Sequence, residues 1–223
     1  MNNRIVSGRN AKLGGHIFEH NLSEYLSFKY NDEHTVFGSS KTKIDIQNIS
    51  GTKRYSVKNP SGKNTQISLI TQKKFIEALN ITDSLVISFI EKFFGGNNYS
   101  DYNRHRMCIS DIPSNETSAF LRLLNDNPDK LYELLFTTGH KQQGEVNNLA
   151  WATIKDDVNS IKIVDLELLK NTYLKGHWTV NETTLYYIVD GKKLLHLQMK
   201  GSGAKYSSGY HSLQFHLHNS FIN

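Results

Sequence analysis

The sequence predicts an α/β protein: a mixed central sheet flanked by helices, a helical middle region, and a C-terminal antiparallel β region. Three observations predict it. An amphipathic stretch precedes three short strand-like runs, apolar residues recur at helical spacing through the middle, and residues 175–223 alternate apolar and polar. The length of 223 residues suits a single domain over 1–223 with an elaborated periphery.

The first helix covers Ala11 to Phe28, where Phe18, Leu22, Tyr25 and Leu26 share a face. Strand-like runs follow at Thr35–Phe37, Thr42–Gln47 and Arg54–Lys58. Asn59–Asn64, with Pro60 and Gly62, reads as a loop, and a second helix is expected from Thr65 to Leu79. Over 81–140, Leu85, Val86, Phe89, Ile90 and Phe93 form one helical stripe ended by Gly95-Gly96. Ser114 can cap a helix carrying Phe120, Leu121 and Leu124. Asn127-Pro128 opens another through Leu131, Leu134 and Leu135, closed by Gly139. The C-terminal strands are His177–Val180, Thr183–Val189, Lys193–Lys200 and Ser212–His218, with Asp190-Gly191 as a hairpin turn.

Bulk properties narrow the function. Hydrophobic residues make up 38 % and aromatics 11 %, enough for a real core. No apolar run approaches the ~20 residues of a membrane helix, and the start lacks a signal-peptide core, so a soluble, cytoplasmic protein is expected. The single cysteine, Cys108, excludes an internal disulfide and a multi-cysteine zinc site. A net charge of +5 and a pI near 9.1 favour an anionic partner, because lysines that neutralise phosphates release counterions.

The residues that carry chemistry lie on the second and third strand-like runs. Side chains alternate across a strand, so Lys43, Asp45 and Gln47 share one face, and Arg54, Ser56 and Lys58 share one face. With a two-residue turn at Ser50-Gly51, residues whose numbers sum to 101 lie opposite each other. Asp45 then faces Ser56, and Lys58 is its diagonal neighbour. Opposed Cβ atoms are ~4.5–5.5 Å apart and diagonal ones ~7–8 Å, within reach of a lysine. On the first helix, Glu19 shares a face with Leu22 and Leu26, an expensive place for a carboxylate unless a cation compensates it.

The order helix with Glu19, strand with Asp45, strand ending Ser56-Val57-Lys58, then helix resembles the PD-(D/E)xK nuclease core over residues 11–80, in the small form typical of type II restriction endonucleases. The resemblance implies a restriction-endonuclease-like fold and Mg²⁺-dependent hydrolysis of double-stranded DNA. Asp45, Lys58, Glu19 and Ser56 would form the catalytic set, with Asp45, Glu19 and the Val57 carbonyl holding the metal and Lys58 orienting water. Two departures stand out: Ile44 occupies the proline position, and Ser56 replaces the second acid, which removes one metal ligand. A second match, Asp190 before Gln198-Met199-Lys200, is rejected because Asp190 sits in a turn and no acidic helix precedes it.

DNA contacts are expected from the loop residues Asn59 and Lys63, from Arg104 and Arg106, and from the C-terminal region. There Gln198, Lys200, Gln214 and His216 share polar strand faces, joined by a donor-rich loop with Ser202, Lys205, Tyr206, Tyr210 and His211. Glutamine can pair with adenine and lysine with guanine, although the same residues suit a solvated sheet face. A homodimer is expected, with region 81–140 as a candidate interface and 175–223 as the recognition region. Other readings are a repair or phage nuclease with the same core and a non-catalytic DNA-binding protein. An HNH-type site is not supported by the histidine spacing.

Overall fold

The computed structural model describes residues 2–37, 42–60, 62–95, 107–139, 144–181, 184–199 and 212–222. Two five-stranded sheets organise them. The first contains β1 (His34–Val36), β2 (Ile46–Asn48), β3 (Arg54–Lys58), β5 (Asn148–Ala152) and β6 (Ile161–Asp165), in the order β1-β2-β3-β5-β6. It is mixed, because β3 and β5 run parallel while its other pairs are antiparallel. The second is antiparallel throughout. It contains β4 (Asn64–Thr71), β10 (Ser212–His218), β9 (Lys192–Met199), β8 (Leu185–Val189) and β7 (His177–Val180), in that order. The predicted mixed sheet and C-terminal antiparallel region are both present.

Helix α1 (Asn2–Tyr30) extends past both expected ends. It lays Phe18, Leu22 and Leu26 on Ile46, Tyr55, Ala150, Ala152 and Ile161, covering one face of the first sheet. The opposite face sends Leu149 and Trp151 into the larger core. That core also takes the inner face of the second sheet and helices α2 (Gln72–Leu79), α3 (Ser84–Phe94), α4 (Ser114–Asp126) and α5 (Pro128–Tyr132). Stacked rings of Phe89 and Phe120, 4.4 Å apart, join α3 to α4. Helix α6 (Leu166–Tyr173) follows β6 directly, capped by Asp165, whose side chain accepts from the Glu167 and Leu168 amides. No helix among the described residues is long and apolar enough to cross a membrane.

Several expectations are corrected. Residues 65–71 form a strand rather than the start of a helix, because Thr65, Ile67, Ile70 and Thr71 favour extended backbone and β10 supplies a partner more than 140 positions away. The helix starts at Gln72, with Thr71 Oγ1 accepting from the Lys74 amide. Regular strand structure in the run expected at 42–47 begins only at Ile46, since Thr42 Oγ1 takes the Ile44 N–H and diverts the backbone. Ser114 is the first residue of α4 rather than its cap, a position held by Pro113. Strands β5 and β6 and helix α6 were not expected. β5 is buried on both faces after Asn148, so it lacks the alternation that marks a half-exposed strand.

The turn before β7 tests this packing. A Cβ on Gly176 would lie 2.6 Å from the Ile188 carbonyl oxygen and 2.7 Å from Val189 Cγ2, so the backbone must move to admit it. Gly176→Ala is expected to cost ~1–3 kcal/mol, read by urea unfolding.

Candidate active site

The hairpin β2–β3 has the register that the sequence predicts. Ile46 pairs with Tyr55 and Gln47 with Arg54, while Gly51, at φ 70°, closes a turn by donating to the Asn48 carbonyl at 2.9 Å. Asp45 lies just before β2, and its N–H donates at 2.9 Å to the carbonyl of Tyr55, the register partner of Ile46, so the ladder slips by one residue here. The ladder stops there. Two residues after Tyr55 on β3, the Val57 N–H points toward the Asp45 segment, and the Asp45 carboxylate accepts it, Oδ2 to N at 2.7 Å. Ser56 Oγ donates to the same oxygen at 3.3 Å and accepts from Lys58 Nζ at 2.9 Å. Lys58 Nζ also reaches the Val57 carbonyl at 3.1 Å. Ser56 is buried and serves as a neutral bridge between a half-buried carboxylate and a half-buried ammonium.

Glu19 approaches from α1, its carboxylate held by His16 Nδ1 at 3.2 Å. Burial, and next the charge of Asp45, raise its pKa above the ordinary glutamate range, against lowering by His16 and Lys58. Two acids and one lysine are therefore electrostatically coupled. Lys43 adds a second amine. Its Nζ donates to the Leu135 carbonyl, and burial and the charge of Lys58 push its pKa well below the lysine range, against a rise from Asp45. A cavity of about 210 Å³ opens onto this group, walled by Thr42, Lys43, Asp45, Ser56 and Lys58 on one side and by Ile67, Ser68, Leu69, Thr138 and Gly139 on the other. The cleft thus lies between β4 of the second sheet and, in the first, β3 with the segment before β2.

No protein-family model matches the sequence, and no curated protein matches it. Among solved structures, the restriction endonuclease MspI in complex with its cognate DNA is similar in fold. The TM-score is 0.47 at 12 % identity, over 82 % of this chain and 69 % of that one. What the site can do follows from this chain's own side chains.

The structure thus brings Asp45, Ser56, Val57 and Lys58 together and puts Glu19 within their field. Other expected residues are placed differently. Asn59 donates to Asp156 Oδ1 at 2.6 Å and accepts from the Asp156 amide at 2.9 Å, so it pins the loop after β5 instead of standing free for DNA. Lys63 is exposed beside β4. Gln198, Gln214 and His216 share the outer face of the second sheet, where Gln198 contacts His216 at 3.3 Å and Gln214 donates to Gln66 at 2.6 Å. Arg104, Arg106, Lys200, Ser202, Lys205, Tyr206, Tyr210 and His211 lie outside the described residues. Burial, then His216 and His218, push the His196 pKa down to about 4, and burial lowers His216 and His218 as well. This face therefore offers hydrogen bonds more than charge at neutral pH.

Lys43 was legible from the same alternation that singles out Asp45. Ser68 and Thr138 arrive only through tertiary packing and leave no local sequence signal. The raised Glu19 pKa has a consequence for stability. Below the unfolded value of about 4.5 the protonated acid is at no disadvantage in the fold; stability is lost as pH rises through the higher folded value. In metal-free buffer, Glu19→Gln is therefore expected to be more stable than the parent at pH 7, with the difference vanishing near pH 4, in paired thermal melts.

Proposed function

We propose that this protein is a Mg²⁺-dependent deoxyribonuclease that hydrolyses double-stranded DNA at a defined sequence, as a type II restriction endonuclease does. The observation that carries the reading is the convergence of Asp45, Ser56 and Lys58 at the mouth of the cleft, with the Asp45 carboxylate locked on the Val57 amide. A structural ion pair needs neither a cavity beside it nor a second carboxylate and a second lysine in the same field.

The residues present suit magnesium. The donors available are oxygens: Asp45 Oδ1, which makes neither of the two bonds that fall on Oδ2, the Val57 carbonyl, and Glu19. Mg²⁺ prefers oxygen ligands, retains several waters and is commonly held by one or two carboxylates. The pKa of Glu19, raised first by burial and next by the charge of Asp45, is one that a bound cation would lower. When bound, Mg²⁺ would supply Lewis-acid stabilisation of phosphate charge and acidify a water.

The chain's own groups do the rest. Lys58, held by Ser56, presents an ammonium to the scissile phosphate and orients the attacking water. Ser56 keeps Lys58 and Asp45 at fixed separation without adding a charge, and the Val57 amide fixes the carboxylate plane. Residues 11–80 would supply this core. The outer face of the second sheet, with Gln198, Gln214 and His216, would read bases, and Lys63 would contact phosphate. The basic residues Arg104, Arg106, Lys200 and Lys205, with Ser202, Tyr206, Tyr210 and His211, are assigned to DNA contact by sequence alone. A homodimer through region 81–140 would bring two such sites to a palindrome, and a cytoplasmic location suits the substrate.

Incubation of plasmid and phage DNA with the protein and Mg²⁺ should give discrete fragments. Lys58→Ala should lower cleavage by ~10²–10³-fold or more while leaving DNA binding within a few fold, since it removes one charge-stabilising donor. A smear of products would mean a nonspecific nuclease. Absence of cutting by the parent protein, or full cutting by Lys58→Ala, would overturn the assignment.

A further inference from the structure

Away from the cleft, His196, His216 and His218 gather on the outer face of the second sheet. Strand register sets His216 opposite His196, and His218 follows two positions later on the same side of β10. The His196 and His216 rings stack at 4.8 Å with their planes 8° apart, whereas His218 meets His196 edge-on at 5.0 Å. His196 Nδ1 and His218 Nε2 face each other at 3.1 Å. His216 Nε2 turns the other way, toward Gln198. Tyr186, 6.3 Å from His196 and covered by Lys193 Nζ, borders the cluster on β8.

We infer that His196 and His218 form a binding site for one divalent cation of the zinc, nickel or copper class, separate from the acidic cleft. Two neutral ring nitrogens that point at each other can share a proton or share a metal. A tetrahedral zinc with Zn–N bonds of about 2.0–2.1 Å holds two imidazole nitrogens roughly 3.3–3.4 Å apart, only slightly wider than the gap present. Imidazole ligands select this class of ion over magnesium and calcium, which take oxygen.

The site is open. Among the described residues no three histidine, cysteine, aspartate or glutamate side chains converge on one point, so water or an anion would fill the remaining positions. His216 acts as a positioning residue: its ring stacks on His196, and Gln198 fixes its orientation. Because one ligand lies on β9 and the other on β10, the ion would clamp neighbouring strands.

Zinc chloride titrated into the full-length Asp45→Asn protein, whose cleft carries one carboxylate fewer, tests this by calorimetry and thermal melting. One equivalent should bind and raise the melting temperature. His218→Gln and His196→Gln should each weaken that binding by ~10-fold or more, and His216→Gln by less. If the buried His196 does not tolerate replacement, half-exposed His218 carries the test, and its variant should melt like the parent without zinc. No zinc binding, or binding unchanged by His218→Gln, would overturn the proposal. Binding lost on Glu19→Gln instead would do the same, because it would put the ion in the cleft.

Discussion

The site is organised around one hydrogen bond, from the Val57 amide to the Asp45 carboxylate. Antiparallel pairing between β2 and β3 ends at Ile46 and Tyr55, extended by a single backbone bond from Asp45 to Tyr55. The next donor in line, Val57 N–H, has no strand opposite it. An unpaired, half-buried amide costs about 1–3 kcal/mol, and the Asp45 side chain removes that cost by standing where a ladder carbonyl would have stood. In doing so it stays at the lining of the cleft. Ser56 then links it to Lys58, so three consecutive residues of β3 each hold one part of the arrangement.

The rest of the fold keeps that hairpin end accessible but not loose. Helix α1 seals the face that carries Ile46 and Tyr55, and the larger core takes Leu149 and Trp151 from the face that carries Ser56. The parallel partner β5 fixes β3 from the side away from Asp45, pairing Ser56 with Leu149 and Lys58 with Trp151. β4 crosses into the second sheet and walls the cleft with Ile67, Ser68 and Leu69. The irregular segment before β2 is tied down by Lys43, whose Nζ donates to the Leu135 carbonyl in the π-helical turn Glu133–Thr137. Such turns interrupt regular helices and commonly mark places where a chain is bent to serve a site.

How much was readable in advance depended on the range of the interactions. Asp45, Ser56 and Lys58 were legible because a hairpin with a turn at Ser50-Gly51 is a local object whose register follows from chain geometry alone. The stripe on α3 and the exact spans of β3, β7 and β10 were legible for the same reason, through period and local propensity. β4 was not, since its identity depends on β10, and a segment as mixed as Asn64–Thr71 suits either state until a partner chooses. β5 was missed because a strand covered on both faces carries no alternation, and because its parallel pairing with β3 spans more than 90 positions. Asn59, expected from its loop position as an exposed donor, has its side-chain amide paired with Asp156, a partner nearly 100 positions away that no local signal announces.

Asp45 and Glu19, carboxylates on different elements, are proposed to act together on a divalent ion. Calorimetric titration of Mg²⁺ into the parent protein and into Asp45→Asn measures that directly, since asparagine can still accept the Val57 amide while losing the charge. Saturable binding in the parent, weakened ~10-fold or more in Asp45→Asn with Val57 amide exchange unchanged, is the predicted result. Equal Mg²⁺ affinity in the two proteins would contradict it.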